Sequence, residues 1–332
     1  MIIAVDEKIP YWDQSFVCVG DVRPFDGRKL GRELVADADA LVVRSVTAVD
    51  ASLLEGSSVR FVGTATIGMD HLDESYLRAR GIHYMNAAGS NANAVAEWMV
   101  AALLVVAERR SWDLKRKSLA VIGVGQVGSR VVKKARSLGM EVLLCDPPLR
   151  ESTGDRAYQF LEDVIEADLL TLHVPLTTEG RYPTWHMFDE RVLGRLGTHQ
   201  FLFNSARGAV IDNNALRDAL MECTIEGAVL DVWENEPRIS YDLVRLVDLA
   251  TPHNAGYSID GKVRGTEMIL EGLCRFFGIP FAWDTAGLYP PPSRVSPTPG
   301  SYSLEAVRSV VLQAHDILET DASLRGLESL AE

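Results

Sequence analysis

Cysteine is scarce in this chain of 332 residues, and the four present, Cys18, Cys145, Cys223 and Cys274, stand apart, with neither C-x-x-C nor zinc-ligand spacing. That excludes a disulfide framework, gives no metal site, and fits a reducing compartment. Long apolar runs are lacking as well. The longest, Met99 to Ala107, is too short for the roughly 20 residues of a membrane-spanning helix. The opening MIIAVDEKIPYW turns charged too early for the apolar core of a signal peptide. No membrane partner is expected, and the cytoplasm is the expected compartment. Positive charge is also in deficit: Lys and Arg number 33 against 46 Asp and Glu, a net charge of −13. Non-specific attraction to nucleic acid is thereby excluded, and an anionic substrate must be met by local cations.

What is present suffices for two domains, each with its own core. The chain is organised around the stretch Leu119 to Pro148. Leu119 to Ile122 is a short apolar, β-branched run, as suits a strand covered on both faces of a parallel sheet. Gly123, Gly125 and Gly128 follow as G-x-G-x-x-G. The first glycine permits a tight turn, the second lets backbone approach a pyrophosphate, and the third lets the next helix pack closely. That helix, opening at Gln126 and Val127, offers its N–H groups and positive dipole end to phosphates. Asp146 closes the next strand, Glu141 to Cys145, where a carboxylate would bond both ribose hydroxyls of NAD and repel the 2′-phosphate of NADP.

Other strands are expected at Ile2 to Val5, Ala40 to Val43, Arg60 to Gly63 and Leu169 to Val174, with short helices between them. Ser90 to Arg110 reads as one long helix, apolar on nearly every face and so buried on more than one side. It is expected between domains and at a subunit contact. Arg44, Ser45 and Thr66 follow strand ends, where ligands of parallel sheets lie, and are candidate substrate contacts. His173 reads as a strand-end hydrogen-bonding residue rather than a base.

Three further strand ends carry the candidate chemistry. Phe201 to Asn204 runs into Ser205-Ala206-Arg207, Gly227 to Leu230 into Asp231 and the loop bearing Glu236, and Val247 to Ala250 into the loop bearing His253. If the strands are parallel, Arg207, Glu236 and His253 emerge on one edge. Histidine has the intrinsic pKa to exchange a hydroxyl proton beside a hydride transfer. Glu236 would orient it and favour its protonated form, Arg207 would fork a substrate carboxylate, and Asp231 would accept from the nicotinamide amide.

The runs VRSVT, FVGTATIGMDH, GVGQVG, LLCDPP, NSARGAVIDNNAL, LDVWENEP and HNAGYSIDGKVRGT cover roughly residues 1–277. In order and spacing they resemble the D-isomer-specific 2-hydroxyacid dehydrogenases. The resemblance implies two doubly wound parallel-sheet α/β domains of Rossmann or flavodoxin type, with a short C-terminal helical extension. Residues 1–92 and 257–285 would form a discontinuous substrate-binding domain, and residues 93–256 an NAD-binding Rossmann domain inserted in it. Residues 286–332 would be a linker and C-terminal helix, a candidate dimerisation segment. The activity implied is NAD-dependent oxidation of 4-phospho-D-erythronate to 2-oxo-3-hydroxy-4-phosphobutanoate, a step toward pyridoxal phosphate, by a homodimer.

Carried over by position, Arg207 and Glu236 support catalysis and His253 is proton donor and acceptor. Gly123, Gly125, Gln126, Val127, Gly128, Asp146, Val174, Ser205, Ala206, Arg207, Asp231 and Gly256 would contact NAD. Ser45, Thr66 and Tyr257 would contact a small phosphorylated 2-hydroxy acid, with Arg44 added as a phosphate ligand on its charge. Lys262 and Arg264 are further cations, more in keeping with a solvated helix face. Two departures stand out. Val174 replaces the threonine of the family's H-T-P, leaving a backbone contact. In place of the family's extra C-terminal dimerisation domain there is a proline-rich stretch, Pro290 to Pro299, and one amphipathic helix, Ser303 to about Glu319. That segment is expected to dock on a partner subunit or on the chain's own substrate domain. The alternatives are a sister dehydrogenase of the 3-phosphoglycerate or glyoxylate type, and an NADH-sensing corepressor.

Overall fold

The structure is a computed structural model that describes residues 1–289, 291 and 303–327. The linker expected at residues 290–299 lies outside the described residues save for position 291. The chain divides into two compact units, Met1–Asn91 with Tyr257–Pro292, and Ala92–Gly256 with Ser293–Glu332.

In the first unit, β1 (Ile2–Asp6), β2 (Asp21–Phe25), β3 (Ala40–Val43), β4 (Phe61–Thr64) and β5 (His83–Asn86) form a parallel sheet in the order β2-β1-β3-β4-β5. β3 and β4 are buried at every residue, which is why they read as unbroken apolar runs. The returning helix Ile259–Phe277 packs on β4 and β5. Gly63 permits that approach, since a Cβ there would lie 2.5 Å from Ile269 Cγ2. The helix starts at Ser258, whose hydroxyl accepts from Gly261 N, and ends at Gly278 with φ 67°.

In the second unit, β6 (Ser118–Ile122), β7 (Glu141–Cys145), β8 (Tyr158–Gln159), β9 (Leu169–Leu172), β10 (Phe201–Asn204), β11 (Gly227–Leu230) and β12 (Leu249–Ala250) are all parallel. Their order is β12-β11-β10-β9-β6-β7-β8. The chain winds from β6 to β7 and β8 on one side, then crosses to β9 on the other. This reversal opens a crevice at the carboxyl ends of β6 and β9, the place where such sheets bind ligands. The helix Ala92–Arg109 is covered on more than one side, as its composition requires: it packs against the helices Gln126–Ser137 and Leu304–Ala314.

The C-terminal segment differs from expectation. In place of one helix there are two, Leu304–Ala314 and Ile317–Gly326, because Asp316 caps a new start by accepting from Leu318 N and Glu319 N. Of the two seats the sequence suggests, the chain's own substrate domain is not the one used: within the chain the segment is seated on the second unit. Leu304, Val311 and Leu312 pack on the core that holds the Ala92–Arg109 helix, and Arg308 pairs with Glu108. Among the described residues no helix is long and apolar enough to cross a membrane. Among the same residues no three His, Cys, Asp or Glu side chains gather as a metal site.

Candidate active site

The glycine turn after β6 is built for close backbone approach. Gly123 has φ 87°, and a Cβ there would meet the His173 carbonyl oxygen at 2.7 Å. A Cβ on Gly128 would meet the Gly123 carbonyl oxygen at 2.0 Å, so only glycine lets the Gln126–Ser137 helix sit so near the strand. Gly125 is different: a Cβ there meets nothing within 4 Å, so the second glycine faces open space that a phosphate can use. It also starts the helix without a side-chain cap, leaving first-turn N–H groups to an anion. Gln126 is exposed and Val127 half-buried beside it. The Asp146 carboxylate accepts from Val124 N at 2.8 Å and from Leu149 N at 2.9 Å, bracing the turn and capping the helix Pro147–Thr153. These residues fit an NAD pyrophosphate and ribose.

Beyond β9, His173 Nε2 lies 2.9 Å from Thr171 Oγ1, and the residue's backbone N–H donates to Ile122 O at 2.7 Å. Its Nδ1 is buried without a partner, and burial pushes the imidazole down to about 3. It is a neutral strand-end residue. Val174 is half-buried next to it.

The loops after β10, β11 and β12 are tied together by backbone and by two side chains that sequence reasoning missed, those of Asn204 and Trp233. Asn204 Oδ1 accepts from Ala206 N at 3.0 Å and its Nδ2 donates to Arg207 O at 2.9 Å, shaping the turn Ser205–Arg207. The Ser205 hydroxyl is buried without a partner, an orphaned polar group of the kind a bound cofactor satisfies. Gly208 follows because the Trp233 backbone passes directly over it, where a Cβ would lie 2.0 Å from the Trp233 carbonyl carbon. Trp233 Nε1 donates to Thr251 O at 2.9 Å, joining the second loop to the third. An asparagine ending a strand and a glycine after Arg207 were the available signals.

Asp231 anchors the third loop from below. It is 1% exposed, and its carboxylate accepts from Thr251 Oγ1 at 2.5 Å, Asn254 N at 2.9 Å and Ala255 N at 3.0 Å. Burial raises its pKa against these bonds. Its carbonyl also accepts from His253 N at 2.7 Å. Gly256 ends this loop half-buried. His253 is held at φ 54°, in the left-handed region, and Asn235 at φ 61°. His253 Nδ1 lies 2.6 Å from Glu236 Oε2, while Glu236 Oε1 accepts from Trp233 N at 2.8 Å. The hydrogen bond to Glu236 raises the His253 pKa, opposed by burial and by the Arg207 charge. Arg207 also donates to Ala206 O at 2.7 Å. The structure thus brings Arg207, Glu236 and His253 together within one unit.

In the first unit, Arg44 is committed to Asp6, with Nε 2.9 Å from Oδ2 and Nη2 3.2 Å from Oδ1. Asp6 has no exposure, so the arginine's charge is already matched by a buried carboxylate. Ser45 beside it is exposed. Thr66 Oγ1 lies 2.7 Å from Thr64 Oγ1, which also meets His71 Nε2 at 3.0 Å. Tyr257 is 76% exposed, and Lys262 Nζ stands 3.4 Å from its ring centroid, lowering the phenol's pKa. Arg264 is paired with Glu267 at 2.6 Å.

The sequence profile of the D-isomer specific 2-hydroxyacid dehydrogenase NAD binding domain matches residues 82–255. The chain belongs to the D-isomer-specific 2-hydroxyacid dehydrogenase family. Within it, the chain is 45% identical over 330 residues to an erythronate-4-phosphate dehydrogenase of Marinobacter nauticus, covering 98% of this chain and 86% of that one. The enzyme of the same name from Proteus mirabilis is 43% identical over 328 residues, covering 98% and 87%. Among solved structures, D-lactate dehydrogenase from Aquifex aeolicus, complexed with NAD and lactic acid, superposes with a TM-score of 0.68 at 23% identity. That match covers 84% of this chain and 96% of the lactate enzyme, and it shows the shared fold.

Proposed function

We propose that this chain oxidises 4-phospho-D-erythronate to 2-oxo-3-hydroxy-4-phosphobutanoate with NAD, in the cytoplasm and as a homodimer, on the way to pyridoxal phosphate. As a family member the chain is an NAD-dependent oxidoreductase. The substrate follows from the name its relatives carry, at 45% and 43% identity. The observation that carries the chemistry is the pairing of His253 Nδ1 with Glu236, which leaves Nε2 for a substrate hydroxyl.

In this reading Gly123 to Gly128 and Asp146 hold the cofactor, with Val174, the Ser205–Arg207 turn, Asp231 and Gly256. NAD supplies the hydride acceptor. His253 Nε2 takes the proton of the C2 hydroxyl, and Glu236 stabilises the imidazolium that results. Arg207 forks the substrate carboxylate and polarises the developing carbonyl. Ser45, Thr66 and Tyr257 contact substrate from the first unit, which is the substrate-binding domain. The second unit is the NAD-binding domain, and residues 286–332 contribute to dimerisation.

The test is turnover with NAD and a 2-keto acid that recycles bound NADH, offering 4-phospho-D-erythronate and 3-phosphoglycerate in parallel and identifying products by mass spectrometry. Preference for phosphoerythronate is expected. Preference for phosphoglycerate would move the chain to a sister activity, and turnover of neither with NADH still bound would favour the corepressor.

A further inference from the structure

β12 is only two residues long and lies at the edge of its sheet, hydrogen-bonded to β11 alone. It nonetheless delivers the loop that carries His253. On the β11 side four backbone N–H groups of that loop are bonded: Thr251 N to Leu230 O at 2.9 Å, His253 N to Asp231 O at 2.7 Å, and Asn254 N and Ala255 N to the Asp231 carboxylate. The other side of an edge strand ordinarily faces solvent. Here Ala250 N donates to Asp321 Oδ1 at 2.7 Å. Arg325 locks that carboxylate, with Nε 3.0 Å from Oδ1 and 3.1 Å from Oδ2. The same guanidinium donates to Val244 O and, at 2.9 Å, to Val247 O, the end of the helix Tyr241–Leu246 that leads into β12.

We infer that Asp321 and Arg325 are positioning residues for His253, clamping the open edge of β12 so that the loop three residues on presents its imidazole to Glu236. The inference rests on the functional reading above. Two further observations support it. The helix Ile317–Gly326 is anchored at both ends, with Ile317 fully buried in the same core as Ala255 and Leu324 in the same core as Val244 and Ala250. Asp321 is also well enclosed, its side chain 13% exposed, so its bond to Ala250 is shielded from competing water. The nucleotide turn, by contrast, follows β6, four places across the sheet from β12. Loosening the clamp should therefore disturb proton transfer more than cofactor binding, which the glycine turn and Asp146 mainly carry even though Gly256 ends the clamped loop.

The experiment compares D321A, D321N and R325A in the full chain. Two quantities are read: steady-state kinetics with NAD and 4-phospho-D-erythronate, and the His253 titration by histidine NMR without substrate, assigned with H253A. D321A is expected to lower kcat roughly tenfold or more, as small misplacements of catalytic groups do. Its KM for NAD should stay within about twofold, and the His253 midpoint should fall toward about 6.5 as the bond to Glu236 weakens. D321N keeps an acceptor for Ala250 N and should restore both readings. Wild-type kcat and titration in D321A, whatever its Tm, would overturn the inference, as would a D321N no better than D321A. Should D321A fail to fold, R325A is read the same way, and unchanged values there overturn it. A wild-type chain that does not turn over phosphoerythronate would sink the functional reading alone, because the titration needs no substrate.

Discussion

His253 Nδ1 lies 2.6 Å from Glu236 Oε2, and this contact selects the imidazole nitrogen left to meet a substrate. The bond raises the imidazole's pKa, and in the proposed mechanism oxidation needs His253 neutral. The oxidation rate should therefore climb with pH through a midpoint above the ordinary value of about 6.5. In E236Q the acceptor survives without its charge, so the midpoint should move to lower pH as the maximal rate falls. H253A should lose roughly a hundred- to ten-thousand-fold in turnover. A pH–rate profile of E236Q superimposable on the wild type would remove Glu236 from the mechanism.

The glycines of the nucleotide turn separate folding from binding. In G128A the new methyl meets the Gly123 carbonyl, backbone on backbone, at 2.0 Å. It should cost about 1–3 kcal/mol, seen as a lower urea midpoint. G125A meets no protein atom within 4 Å and has φ −74°, so its midpoint should hold. A weakened NAD affinity in G125A would then report the space the cofactor occupies, and full affinity would place the pyrophosphate elsewhere.

Asp6 and Arg44 give a stability test of a residue first read as a phosphate ligand. R44A would take the charge partner from a fully buried carboxylate, leaving it the Lys8 N–H, and should destabilise by roughly 1–3 kcal/mol. The double variant D6N/R44A should recover part of that loss. Were Arg44 only a substrate ligand, R44A would raise KM and leave Tm alone.

His173 sets an acid-side dependence of stability. Its pKa is depressed to about 3 in the folded chain against about 6.5 unfolded. Its contribution is therefore complete above about pH 6.5 and drains away as pH falls toward 3, because the unfolded chain takes up the proton first. H173Q should flatten the slope of unfolding free energy against pH across that window. An unchanged slope would mean the imidazole is not kept neutral.

The interior strands were legible because burial on both faces leaves an uninterrupted apolar run: Ala40–Val43, Phe201–Asn204 and Gly227–Leu230 match their expected bounds. β2, β5 and β8 escaped notice for the opposite reason. All three are edge strands with partly exposed residues, and β2 even holds Pro24, so none has that run. That Arg207, Glu236 and His253 come together was legible because parallel strands put their loops on one edge. The Asp6–Arg44 pair was not, since it joins residues 38 apart with no local signal. The break before Asp316 was readable, as aspartate followed three residues later by glutamate marks a helix start, but the apolar spacing continued across it.

Asp146 has both carboxylate oxygens bound to backbone, at Val124 and Leu149. The group expected to discriminate between dinucleotides is thus also a brace of the architecture around it. A lineage drifting toward the phosphorylated dinucleotide could not simply exchange this acid for a smaller or basic residue, since the turn and the Pro147–Thr153 helix would come loose together. With Asp146 in that role, fidelity to one coenzyme would be protected by the scaffold's own need, and redesign would have to supply a substitute brace before altering the preference.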